Sequence, residues 1–260
     1  MEPSEYDNIA RLEAEHWWYV GMQQIAAGIL TQAWPPVAAG ASAPAHKILD
    51  AGCGVGGGLR WLARFGQVTG IDLYPSAIRY SAQVSNRIAR ASVQALPFAD
   101  ESFDLVTSFD VLYHLAVSDD AGALADMRRV LRPGGWLLAR VPAYDWLRGA
   151  HDRHVHTRHR YDQQELRDKL GSAGFEVRRL TSAGLSLLLP AVARRRAQAD
   201  GQAETDVSLP SPVVNRLLLA ALQGEGLWLR HFDLPAGLSV LALARKPQTR
   251  LSAEITAAPT

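Results

Sequence analysis

Two stretches of the chain carry residue types and spacings that could do chemistry. The first is Asp50-Ala-Gly-Cys-Gly-Val-Gly-Gly-Gly58. Its glycines tolerate positive φ and let a backbone approach a ligand closely. The second is residues 151–160, which hold His151, His154, His156 and His159, the arginines Arg153, Arg158 and Arg160, and Asp152. Histidine titrates near neutral pH and suits proton transfer, whereas arginine orients carboxylates through paired hydrogen bonds. So many polar groups are costly to bury, so this stretch is expected to be exposed or to line a wet pocket.

The first stretch needs elements that hold it. Lys47-Ile-Leu is a short apolar run stopped by Asp50 and the glycines, and Leu59, Trp61, Leu62 and Phe65 follow at helical spacing. The pattern predicts a strand over 47–50, a tight turn, and a helix over 56–65. A second strand over 67–72 ends in Asp72. Two such strand ends make a nucleoside site, with backbone at the first turn and a carboxylate for ribose hydroxyls at the second. The glycines leave the ligand open. Gly52, Gly54 and Gly57 satisfy GxGxxG, as in dinucleotide sites, while Gly52, Gly54 and Gly56 satisfy GxGxG. Asp50 stands where a pyrophosphate would be repelled and a cationic ligand favoured.

Further along come Leu96-Pro-Phe98, Ser102-Phe-Asp-Leu-Val106 and Leu131-Arg-Pro-Gly-Gly-Trp136. With these motifs, residues 45–183 resemble the class I S-adenosylmethionine (SAM) methyltransferases of the methyltransferase type 11 group. The resemblance implies an α/β fold: a Rossmann-like sheet with helices on both faces, an N-terminal aromatic lid, and a helical insertion before the last strand. It implies SAM as cofactor and S-adenosylhomocysteine (SAH) as product. The cofactor residues it implies are Asp50, Gly52, Cys53, Gly54 and Gly56 at the first turn, and Asp72 and Leu73 at the second strand end. Phe109 joins them at the end of the fourth strand. Ser92 and Val93 fall at the adenine position, where many members carry an acidic residue, and Gln94 follows them. The aromatic run at residues 16–19 reads either as a helix that packs on the domain edge or, as the resemblance implies, as a lid in which Trp17, Trp18 or Tyr19 closes over the methionine moiety, with Gly21 where the chain turns close by; aromatic faces suit a sulfonium cation. His114 matches a histidine common in the group, which contacts SAM, orients near substrate, or packs beneath the pocket.

The remaining organisation follows from periodicity and breakers. Residues 1–34 form the lid, residues 35–183 the SAM-binding core with a substrate segment at 142–161, and residues 184–232 a helical cap insertion. Residues 233–246 carry the final strand, and residues 247–260 read as a tail. Within the core, Pro75 opens a helix, residues 91–98 are irregular, and residues 102–109 form the fourth strand. A helix over 119–130 is capped by Ser118 or Asp119, and Arg132-Pro-Gly-Gly turns into a strand over 136–141. For 151–160 three readings compete: a substrate-facing segment, a solvated face with an Asp152–Arg160 pair, or a divalent metal site. The spacing matches no strong metal template, so none is expected. If the acceptor is a hydroxyl or ammonium, the candidate bases are His154, His156 and His114, in that order; if it is a carboxylate, the arginines orient it.

Composition narrows the function. With 27 basic and 26 acidic residues the net charge is +1, which gives no pull toward nucleic acid. The lone Cys53 excludes an internal disulfide and reads as a packing residue. Neither a signal peptide nor a long apolar span is evident, so a cytoplasmic protein is expected. The expected activity is methyl transfer from SAM to an oxygen or nitrogen of a small-molecule acceptor of secondary-metabolite, glycan or quinone type. The alternatives are an RNA or protein methyltransferase, a NAD-linked oxidoreductase, or a SAM-binding protein without activity. The oxidoreductase would need a Tyr–Lys pair, and neither Lys47 nor Lys169 sits in one. The Leu-rich insertion over 185–230 could cap the pocket, form a homodimer, or touch a membrane surface weakly through apolar residues beside Arg194-Arg-Arg196.

Overall fold

The computed structural model describes residues 3–34, 46–197 and 208–248. Seven strands form one sheet: β1 (Lys47–Ala51), β2 (Gln67–Asp72), β3 (Ile88–Arg90), β4 (Phe103–Phe109), β5 (Leu131–Pro142), β6 (Glu176–Ala183) and β7 (Ser239–Arg245). Their spatial order is β3-β2-β1-β4-β5-β7-β6, with β7 antiparallel to both neighbours and the other pairings parallel. The order reverses between β1 and β4, and ligands bind outside the carboxyl ends of strands at such a point.

Strand side chains alternate between the two faces. Leu49, Val106 and Leu137 point into one core with Leu124 and Met127 of α5 (Asp120–Val130) and Leu166 and Leu170 of α7 (Gln163–Ser172). Ile48, Leu105 and Leu138 point into the other, with α3 (Gly57–Leu62) and Ile25 and Leu30 of α2 (Trp17–Ala33). Leu222 of α9 (Pro212–Trp228) completes that layer. The expected α/β sheet with helices on both faces is therefore present, with Asp119 capping α5 through Gly122 N–H and Asp162 capping α7 through Glu165 N–H. α4 (Pro75–Ser81) opens on Pro75 as its sequence predicts.

Several details differ from expectation. The helix after the glycines ends at Leu62, because Arg64 N–H and Phe65 N–H bond three residues back and tighten the last turn. A short strand, β3, precedes the irregular 91–98 segment. β5 starts at Leu131, which still pairs with Phe103; Arg132-Pro-Gly-Gly is a bulge within it, and pairing resumes at Leu105–Trp136. Gly21 is not at a turn. It lies inside α2, where a β-carbon would overlap the Leu222 side chain, so it sets how closely α2 and α9 pack. Residues 151–160 include a short helix, α6 (Ala150–His154).

The segment expected to be a lid is α1 (Pro3–Leu12) followed by α2, and the insertion is α8 (Leu188–Ala197) followed by α9. Glu225 of α9 accepts hydrogen bonds from Gly184 N–H (2.7 Å) and Ser186 N–H (2.6 Å), which fixes the entry to α8. The linker expected at 35–46 (except His46), most of the polar loop at 197–206, and the tail from 249 onward fall outside the described residues.

Candidate active site

The carboxyl ends of β1, β2, β4 and β5 open into a cavity of about 550 Å³. In the glycine turn, Gly52, Gly54 and Gly56 have φ of +94°, +55° and +101°, where a β-carbon is strained. A side chain at Gly52 would also overlap Val111, and one at Gly58 would overlap the Asp50 carboxylate. Gly52, Cys53 and Gly54 line the cavity. Gly56 is not among the lining residues; it starts α3, with Ser81 and Val84 behind it. Cys53 is buried, and burial pushes its thiol up, away from nucleophilic use.

Two acids face the cavity from the strand ends. Asp50 is 2% exposed and accepts from Thr107 Oγ1 at 2.7 Å. Burial pushes its carboxyl up to about 6, against the Thr107 bond and aided by nearby Asp72. An incoming cation favours the ionised form of such a group. Asp72 accepts from Gly54 N–H through Oδ2 and from Tyr74 N–H through Oδ1, each at 3.0 Å. Burial raises its pKa, and those same N–H groups hold it down. Each oxygen keeps a lone pair for another donor, such as a ribose hydroxyl.

Leu73, Ser92 and Val93 line the adjoining wall. Gln94 is occupied elsewhere: its amide donates to the Ala116 carbonyl (3.1 Å) and accepts from Ser118 Oγ (3.1 Å) and Asp119 N–H (2.8 Å). It ties the irregular segment to the start of α5.

The other half of the cavity is aromatic. Tyr6, Trp17, Trp18 and Tyr19 come from α1 and α2; Tyr74, Phe109, Tyr113 and His114 come from the loops after β2 and β4. Leu187 and Ala191 close it from α8 and the turn before it, and Leu218 from α9. Asn215 of α9 ties the insertion to the N-terminal helices: it accepts from Trp17 N–H (3.0 Å) and donates to the Glu15 carbonyl (2.9 Å). Arg140 pairs with Asp110, its guanidinium 5.5 Å from the Phe109 ring centroid, and both charged residues line the cavity. Periodicity alone places Arg140 in a strand and gives it no role. The signal for it is one charge in the apolar run Trp136-Leu-Leu-Ala-Arg-Val141 at a strand's carboxyl end.

The histidine- and arginine-rich segment splits by position. Asp152, Val155, Thr157 and Arg160 face the cavity. Arg160 donates to both Asp152 oxygens (2.7 and 3.1 Å) and to the Ala143 carbonyl (3.2 Å). The pair expected on a solvated face is instead buried in the cavity wall, at 6% and 4% exposure. Burial works against the Asp152 carboxylate, but Arg160 outweighs it and holds the pKa low. His159 bonds Asp145 through Nδ1 (2.9 Å) and Glu165 through Nε2 (2.7 Å), so both ring nitrogens serve structure.

Of the three candidate bases only His114 lines the cavity. His154 and His156 are not among the lining residues, because α6 and the turn after it send Asp152, Val155 and Thr157 inward instead. His114 does line the cavity, 5.7 Å from the His156 ring centroid. Its Nδ1 accepts from Ala116 N–H at 3.0 Å. Burial, with His156 adding, pushes its pKa down to about 4. The neutral ring therefore carries its proton on Nε2 and acts as a donor rather than a base near neutral pH.

Comparison with known proteins places this geometry. Residues 49–139 match the family model Methyltransf_11, described as a methyltransferase domain. A fatty-acid O-methyltransferase of Mycolicibacterium smegmatis is 36% identical over 124 residues, 44% of each chain. A cycloartenol-C-24-methyltransferase of Arabidopsis thaliana is 34% identical over 114 residues, covering 40% of this chain and 32% of that protein. The chain thus spans about a third to a half of the length of the curated relatives it matches. A chain from the Haloferax volcanii complex of the Trm112 activator and a methyltransferase has the same fold, with TM-score 0.59 and 19% identity over 95% of both chains. Over residues 49–139 the chain is thus similar to the methyltransferase domains of the Methyltransf_11 family.

Proposed function

We propose that the protein transfers a methyl group from SAM to an oxygen or nitrogen of a small, largely apolar acceptor held beside it. One observation carries this reading: a single cavity joins the glycine turn and its two acids to an aromatic chamber walled by α1, α2, α8 and α9. The residues fit the cofactor. Asp50 suits a cationic group, Asp72 suits ribose hydroxyls, and the glycines admit the backbone approach. When bound, SAM supplies a methyl group already activated on its sulfonium and leaves as SAH.

The chain's own residues then position the acceptor. Tyr19, Tyr113 and His114 offer hydrogen-bond donors, and burial keeps both phenols protonated. His114 is a weak base, which supports an acceptor that arrives ionised or sheds its proton easily. Relatives named for a fatty acid and for a sterol support an apolar acceptor. So does the outer face of α9, where Val213, Leu217, Leu227 and Trp228 are exposed, a surface suited to weak contact with a membrane.

The test is transfer of labelled methyl from SAM to pooled fatty acids, phenols and hydroquinones, with RNA and protein pools as controls. Transfer to a small-molecule pool with none to the macromolecules is expected. His114→Ala should lower kcat/KM about tenfold, the effect of one lost positioning bond, and His154→Ala should leave it within about twofold. Transfer to RNA or protein alone would overturn the reading.

A further inference from the structure

Glu13 sits in the tight turn between α1 and α2, its N–H donating to the Ile9 carbonyl at 2.8 Å. Its side chain crosses to the glycine turn. A β-carbon at Gly57 would overlap the Glu13 carboxylate, as one at Gly58 would overlap Asp50. Gly57 N–H donates to Glu13. Two carboxylates, one from the lid and one from β1, thus lie over consecutive glycines and both line the cavity. The glycines at 57 and 58 leave room for carboxylates rather than for a phosphate.

The groups facing Glu13 come from four elements: Asp50 on β1, Tyr19 on α2, Arg60 on α3 and Arg140 on β5. Arg140 is committed to Asp110, and Arg60 is exposed. Both cations favour the Glu13 carboxylate, but burial and the neighbouring Asp50 outweigh them. Burial, with Asp50 adding, pushes Glu13 up to about 7, so near neutral pH it is partly protonated.

We propose that Glu13 is a cofactor-binding residue which, with Asp50, holds the α-ammonium group of the methionine moiety, so that the cofactor itself fastens the N-terminal lid. This rests on the SAM-binding reading above. The step balances simply: the Glu13 carboxylic acid loses its proton to solvent, and the carboxylate pairs with an ammonium that stays protonated. The lid is then bound through a charge that only the amino-acid half of the cofactor carries.

The full chain is titrated calorimetrically with SAH at about pH 7, in two buffers of different ionisation heat. The same is done with 5′-methylthioadenosine, which lacks the amino-acid half. At that pH Asp50, pushed up only to about 6, is already mostly ionised, so SAH should release about half a proton and methylthioadenosine almost none. Glu13→Gln should weaken SAH about tenfold or more, remove the proton release, and leave methylthioadenosine unchanged. Equal or tighter SAH binding by Glu13→Gln would overturn the proposal, because Glu13 would then be occupying the place of the cofactor's own carboxylate. If the variant loses both ligands, the wild-type proton count decides: about half a proton supports the assignment and none overturns it. Wild type that binds neither ligand would instead sink the cofactor reading itself.

Discussion

Two aspartates face the same cavity from opposite ends, and their surroundings differ in sign. Asp152 is buried against Arg160, with both carboxylate oxygens bonded. Asp50 is buried with one hydroxyl donor, Thr107, and acidic neighbours. The first carboxylate is held low and the second is held high. A buried charge with its partner in place belongs to the wall, whereas one whose partner is missing from the fold awaits a ligand. The same contrast separates the two halves of the cavity. The end proposed for the cofactor is built largely from residues close in sequence and from backbone; the end proposed for the acceptor is assembled from α1, α2, α8, α9 and residues 152–160, far apart in sequence.

The largest effect should come from breaking the satisfied pair. Asp152→Ala leaves the Arg160 guanidinium buried at 6% exposure with only the Ala143 carbonyl. Losing one partner of a buried pair costs about 3–5 kcal/mol, and denaturant melts of wild type and variant measure it. The sign with pH follows from the depressed pKa. The Asp152 contribution is complete above the ordinary aspartate value of about 3.9 and is lost as pH falls through the lower folded value. The wild-type advantage over Asp152→Ala should therefore shrink only in strong acid. A loss under about 1 kcal/mol would mean the pair is solvated and the loop is not part of the wall.

Asp50→Asn sharpens the contrast because its effect on stability should have the opposite sign. The folded pKa is raised, so the folded state binds more protons than the unfolded one between about pH 4 and 6. Stability falls as pH rises across that window, and the cost persists at higher pH. Asparagine keeps a carbonyl for Thr107 and removes the charge. The ligand-free variant should be more stable than wild type at pH 7.5, by on the order of 1–3 kcal/mol, while its affinity for SAM falls. Thermal melts with and without SAH test both halves. An Asp50→Asn variant less stable than wild type at that pH would show that the carboxylate is stabilised by the fold and is not waiting for a cation.

The two halves were also unequally legible. Strands at 47–50, 67–72 and 102–109, the cap at Asp119, and the buried apolar final strand were readable because local periodicity and turn chemistry determine them. Asp50, Gly52, Gly54 and Asp72 were readable because neighbours in sequence are neighbours at the site. The acceptor end has no such short-range signature. Glu13 reaches Gly57 only because α2 packs against α3, and Arg140 faces the cavity only because β5 and β4 share a register. The histidines of 151–160 look like chemistry as a composition, yet α6 and its following turn decide which of them point inward, and Asp152 and Arg160 win. Gly21 looks like a hinge, and its meaning lies in Leu222, about 200 residues away along the chain.

The smallest effect tests whether the far-apart segments act as one wall. Asn215 is the only residue described here that bonds both the backbone of the lid's turn and the start of α2 from across the insertion, through Trp17 N–H and the Glu15 carbonyl. Neither group is deeply buried, so each bond contributes about 1 kcal/mol at most. Asn215→Ala should cost about 1 kcal/mol of stability. Its larger signature should be local: faster amide hydrogen exchange across residues 13–18, with exchange in β1 and β4 unchanged. Methylthioadenosine binding should stay near wild type, since Asp72 and the glycine turn belong to the other half. If exchange rises evenly over the sheet as well, the lid and the core unfold together, and the division of the cavity into a backbone-built end and an assembled end does not extend to its dynamics.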